Sequence, residues 1–248
     1  MKTIDLSTLE EIPKEFLNQL QNLSPVFKEN ISFDKLLDNN SIVSLIERIN
    51  SYCLKNRIFG YHYTRAIPTE IQKKGLVCRK GDDIRNAFIT NFGNLFTADE
   101  KIEIKKSWSH HFDHRQQASR DYVLFFNFTL SGLKDGSAEP LLTNFGGEQV
   151  YMPLQELTEI RDKVKCIGKS LILRCRLDPN KINTFFENPW GRIAVSTYHC
   201  KINPEALQND QDGYQNIDVR PEDIDIVEYN GLSTPANMGI GGNGGLTS

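Results

Sequence analysis

The stretch from Phe59 to Leu76, FGYHYTRAIPTEIQKKGL, constrains this chain more than any other. Its aromatic front half predicts a strand carrying His62, with a turn at Thr64–Arg65. Pro68 predicts the first turn of a short helix, where a missing N–H costs nothing. Gly75 predicts its end, because glycine accepts the left-handed backbone that commonly closes a helix. His62 thus stands between two tyrosines, at a strand end and just before a helix N-terminus. That is a good place to hold a small ligand: unpaired N–H groups there face anions, and imidazole hydrogen-bonds without a fixed charge.

The rest of the chain bounds what can surround this unit. Its 248 residues suffice for one large core or two small ones. The net charge of −3 gives no whole-chain attraction to nucleic acid, so any such contact needs a local patch. No apolar run approaches the ~18 residues of a membrane span, and MKTIDLSTLEEIPKEF lacks the apolar core of a secretory signal. Cys53, Cys78, Cys166, Cys175 and Cys200 form no CxxC pair, which argues against a disulfide scaffold or zinc ribbon and for a reduced, cytoplasmic location.

Residues 1–57 read as a helical N-terminal extension. Its clearest part is Ser41 to Lys55, where Ile42, Leu45, Ile46, Ile49 and Cys53 share one face. After Leu76 the chain alternates briefly and turns at Gly81–Asp82–Asp83. A short strand is expected at Asn94–Phe96, then a helix capped by Thr97 or Asp99 that continues through SWSHHFDHR. DYVLFFNFTL (121–130) reads as the strongest strand, apolar enough for both faces to be covered. Further strands are expected at Gln149–Met152, at 170–177, at 193–202 and twice around Pro221, with a helix from Leu154 to Val164. Asn209 to Gln215 reads as a polar loop, and 233–248 as a flexible glycine-rich tail. The sum is an α+β domain over 58–232 behind a helical extension.

Three groups of residues can carry chemistry. His62 with Tyr63, Thr64 and Arg65 is the first, although a single strand histidine is more often a satisfied half-buried residue. In the second, Gly146 and Gly147 let the backbone approach a ligand and leave Glu148 at the rim of the following element. The third is His110 and His114, which share one helical face and, with Asp113, offer the alternative of a metal-dependent hydrolase or nuclease. Lys105, Lys106, Arg115 and Arg120 beside Trp108 and Phe112 also form a modest basic strip able to touch a phosphate backbone.

The order of GYHYTR, NLFTADE and FGGEQVY resembles the ADP-ribosyltransferase superfamily, in the branch whose signature is His, an aromatic and Glu on separate strands. The resemblance covers roughly 58 to 230 and rests on short motifs. It implies a split β-sheet core with flanking helices and NAD as co-substrate. It also implies ADP-ribose transfer to a macromolecule, RNA marginally ahead of protein. His62 would hold the nicotinamide ribose and Tyr63 the carboxamide, next to Thr64. Phe96 and Thr97 would line the nicotinamide pocket, Arg65 would pair with the pyrophosphate, and Glu148 would be the catalytic acid. Phe96, Trp108 and Tyr122 compete as the stacking ring, and Glu156 as a second acid. VRPEDIDIVEY resembles a closing strand pair. By analogy the setting is a bacterial toxin or antiphage effector, with an antitoxin as possible partner and no membrane. A non-catalytic NAD-binding module is the remaining alternative.

Overall fold

The computed structural model describes residues 1–209 and 212–231; the expectation for the tail 233–248 falls outside them. The chain is a mixed α/β structure built on strand β2 (Arg57–Ala66). With β1 (Thr3–Ile4), β4 (Lys169–Leu177) and β6 (Ile224–Glu228) it makes a sheet of order β1-β2-β4-β6. β1 runs parallel to β2, and the other pairings are antiparallel. β3 (Leu124–Phe126) and β5 (Gly213–Gln215) pair separately. One bridge joins the two sheets: Tyr61 and Asn127 exchange N–H···O bonds of 2.7 and 2.9 Å.

Period-two alternation places the core. On β4, Leu171, Leu173, Cys175 and Leu177 enter the main cluster, while Ile172 faces Tyr61, Tyr63 and Leu142 on the other side. The register pairs His62 with Leu173, so His62 lies on the main-cluster face, where β3 crosses. Gly60 permits that crossing, since a Cβ there would stand 3.2 Å from the Cβ of Phe126. The Asn40–Cys53 and Pro189–Ile202 helices cover this face. The first of them buries the predicted stripe of Ile42, Leu45, Ile46, Ile49 and Cys53. Phe88, Ile104, Trp108, Val150 and Val164 fill a second cluster.

The N-terminal 57 residues are mostly helical, yet their first residues form β1, and their apolar faces belong to the same cluster as the sheet. Asp5 anchors them. Only 3% exposed, it accepts hydrogen bonds from Tyr61 Oη at 2.7 Å, Ser7 Oγ at 2.6 Å and Arg174 Nη2 at 2.9 Å.

Several local expectations are corrected. Residues 193–202 are helical within Pro189–Ile202, because burial on nearly every side masks the helical period and Pro189 acts as the start signal. Gln149–Met152 is not a strand: Glu148–Tyr151 is a short helix followed by a 3-10 turn, entered through left-handed Gly146 and Gly147. Gly81–Asp82–Asp83 opens the Gly81–Phe92 helix, its acids suiting the positive end of the helix dipole. Gly93–Leu95 is a 3-10 turn where a strand is expected at 94–96.

Of DYVLFFNFTL only Leu124–Phe126 is strand, and Phe125 is 42% exposed, so only one face is covered. Left-handed Tyr122 ends the extended run on one side, and the Ser131–Lys134 helix ends it on the other. The helix expected from Leu154 runs only over Thr158–Lys165. After Val219, which bridges to Leu76, a single strand, β6, closes the sheet where two are expected. The loop expected at 209–215 contains β5. β2 continues through Thr64–Arg65 to Ala66 without turning.

Candidate functional site

Two backbone breaks shape the site. Beyond the Tyr61–Asn127 bridge, β3 parts from β2, and the gap lies beside His62. Across it, the chain leaves the Pro68–Lys74 helix through Gly75 (φ 71°). Gly75 requires this backbone because its Cα faces the Val219 main chain so closely that a side chain would collide with the carbonyl. Farther along, Gly146 (φ 83°) and Gly147 (φ 65°) turn the chain so that Glu148 begins a short helix on the wall of the gap.

The enclosed space is a cavity of about 500 Å³, within the usual range of small-molecule sites. His62, Thr64, Arg79, Phe125, Glu148 and Gln149 are among its walls. An imidazole from the first motif and a carboxylate from the second, distant in sequence, therefore face one space.

His62 Nδ1 lies 2.9 Å from the Phe125 carbonyl oxygen. A carbonyl only accepts, so Nδ1 carries the proton and donates, leaving Nε2 as an acceptor in the neutral ring. The bond through Nδ1 is the one side-chain hydrogen bond of His62 among the described residues, so Nε2 is left to accept from a ligand. Burial holds the imidazole below its ordinary value, and the Phe125 bond opposes the shift only in part. The ring also lies 5.9 Å from that of Phe126.

Glu148 accepts from Arg120 Nε at 3.2 Å; both side chains are partly exposed. Arg120 is held in turn by Gln116 Oε1. Tyr151 is buried on the same short helix. Its hydroxyl is pushed up to about 12, mainly by burial and further by the Glu148 charge, with Arg120 opposing.

The other expected site residues divide. Tyr63 and Thr64 line the cavity, Tyr63 buried with Oη donating 3.3 Å to the Thr129 carbonyl. The Arg65 guanidinium turns away to Ile167 O (2.7 Å), Gly168 O (3.0 Å) and Ser170 Oγ (3.1 Å), fastening β2 to the turn before β4. Phe96 is buried in the second cluster, and Thr97 caps the Ala98–His111 helix in a reciprocal capping box with Glu100. Neither lines the cavity.

The histidine face is corrected as well. The Ala98–His111 helix stops before Phe112, and His114 begins a second helix capped by Asp113, so His110 and His114 do not share a face one turn apart. Among the described residues no group of three or more His, Cys, Asp or Glu is placed to hold a metal. The aromatic members of the basic strip are buried: Trp108 Nε1 donates to Val150 O at 2.9 Å, and Phe112 lies under Arg85.

Sequence reasoning missed Arg79, Phe125 and Gln149. Arg79 sits in a stretch without a motif. The Phe125 side chain and carbonyl matter only because β3 crosses β2. Gln149 was legible only as the neighbour of Glu148. All five cysteines are free thiols, and among the described residues no helix is long and apolar enough to cross a membrane. No family model, curated protein or solved structure matches the chain.

Proposed function

We propose that the chain is an NAD-dependent mono-ADP-ribosyltransferase acting in the cytoplasm on a macromolecule. The observation that carries the reading is that His62 and Glu148, chosen by motif, line one cavity of a size suited to a small ligand.

In this reading His62 Nε2 accepts from a hydroxyl of the nicotinamide ribose, in the orientation that Phe125 imposes. Glu148 faces the ribose carbon. The bond from that carbon to nicotinamide breaks, and its electron pair leaves with the ring nitrogen as neutral nicotinamide. The positive charge left on the ribose is stabilised by the carboxylate. An acceptor lone pair then forms the new bond to the same carbon, and Glu148 takes the acceptor's proton. With Arg65 engaged by carbonyls, the pyrophosphate falls to Arg79 on the cavity wall. Phe125, the exposed ring of the wall, stacks on nicotinamide in place of Phe96.

The acceptor is protein or RNA. With Trp108 and Phe112 buried, the Lys105–Arg120 strip offers RNA cations but no stacking rings. A bacterial toxin or antiphage effector, with an antitoxin as partner, remains the setting that the resemblance implies.

The test is incubation with NAD labelled in the adenylate, alongside released nicotinamide as a second readout. Transfer by the unchanged chain and none by folded Glu148→Gln supports the proposal. Undiminished transfer by Glu148→Gln overturns it. Saturable NAD binding without nicotinamide release would make the protein a binding module instead.

A further inference from the structure

Gln149 follows the candidate acid and is 8% exposed, yet only half of its amide is used. Its Oε1 accepts from Arg85 Nη1. Arg85 is itself 6% exposed; its Nη2 is paired with Asp82 and its guanidinium lies 4.3 Å from the centre of the Phe112 ring. A guanidinium has donors only, so the amide carbonyl must face Arg85 and the NH2 must point the other way. Gly81 makes room for the amide in this position, because a Cβ there would collide with Gln149 Oε1. The one side-chain hydrogen bond of Gln149 among the described residues is the one to Arg85, which leaves the amide nitrogen free to donate, and Gln149 lines the cavity.

A structural role explains one end of this side chain and not the other. If Gln149 served only to satisfy Arg85, a carboxylate would do so with a stronger, charge-assisted bond. An amide instead keeps the cavity end a donor, and the cation behind it polarises that donor. We infer that Gln149 is a ligand-orienting residue that donates from Nε2 to an uncharged oxygen of the bound dinucleotide, beside Glu148, with Arg85 as its positioning residue. The inference rests on the NAD reading. The oxygen is a sugar hydroxyl or the nicotinamide carboxamide carbonyl, which share this chemistry.

Calorimetric titration with NAD, ADP-ribose and nicotinamide, each added separately, tests it on the full chain. Gln149→Glu keeps a partner for Arg85 but removes the donor; Gln149→Met removes the donor without adding charge. Both should bind NAD about tenfold more weakly, the size expected for one lost hydrogen bond, with the thermal midpoint of Gln149→Glu retained. Arg85→Met, which removes the donor to Oε1, should weaken NAD binding in the same direction, and Arg85→Lys, which keeps a cation there, should recover part of the loss. A loss seen also with nicotinamide assigns the carbonyl, and one seen also with ADP-ribose assigns a hydroxyl. Unchanged affinity in Gln149→Glu, or in folded Gln149→Met, overturns the inference while leaving the dinucleotide reading in place. Absence of NAD binding by the unchanged chain overturns that reading, and this inference with it.

Discussion

The Nδ1 of His62 and the main-chain carbonyl of Phe125 stand 2.9 Å apart, joining two strands that are 63 residues apart in sequence. This contact sets the tautomer of the candidate ligand-binding histidine. It also ties the ring orientation to the position of β3, so the two-stranded sheet is part of the site.

His62 should make stability depend on pH. The unfolded imidazole takes up a proton near 6.5, and the folded one only at lower pH. Between those values the unfolded chain binds more protons, so stability rises with pH across the window. The contribution is fully present above 6.5 and is lost as pH falls toward the folded value. Thermal midpoints measured across this range should fall on acidification less steeply in His62→Gln than in the unchanged chain. Equal slopes would refute the assignment.

Arg120 and Glu148 form a partly exposed pair, at 24% and 43% side-chain exposure, so their coupling should stay below about 1 kcal/mol. A double-mutant cycle of Arg120→Met with Glu148→Gln, followed by urea denaturation, measures it. A coupling several times larger would make the pair a structural element.

Asp5 is a different case. It is buried and accepts from Tyr61, Ser7 and Arg174. Asp5→Ala removes the shared acceptor of Tyr61, Ser7 and the partly buried Arg174 and should cost about 1–3 kcal/mol. Because Tyr61 also bridges to Asn127, beside His62, NAD binding should weaken in parallel. Urea denaturation and calorimetric titration check the two outcomes.

Gly191 lets the Pro189–Ile202 helix approach the Asn40–Cys53 helix until a Cβ would collide with the Ile46 carbonyl. Gly191→Ala should therefore destabilise by about 1–3 kcal/mol or more, as overpacking does, even though alanine is the better helix former. A raised thermal midpoint would show that the two helices can separate at little cost.

Read alone, the sequence determined the elements whose signals are local. The strand–helix–glycine unit from β2 to Gly75 was legible because proline, glycine and an aromatic run act on their own backbone. The stripe of the Asn40–Cys53 helix was legible because one side of it meets solvent. The cap of the Ala98–His111 helix was legible to within two candidates, Thr97 and Asp99, and the structure selects Thr97, whose partner lies three residues away. Where burial removed the contrast between faces, as at Pro189–Ile202, the same reasoning mistook a helix for a strand. Tertiary structure alone decided that Arg65 spends its donors on carbonyls, that Phe96 fills a core, and that Arg79, Phe125 and Gln149 share a cavity with His62 and Glu148. Such contacts join residues far apart in the chain, and a side chain's own chemistry does not reveal which distant backbone will come within hydrogen-bonding reach.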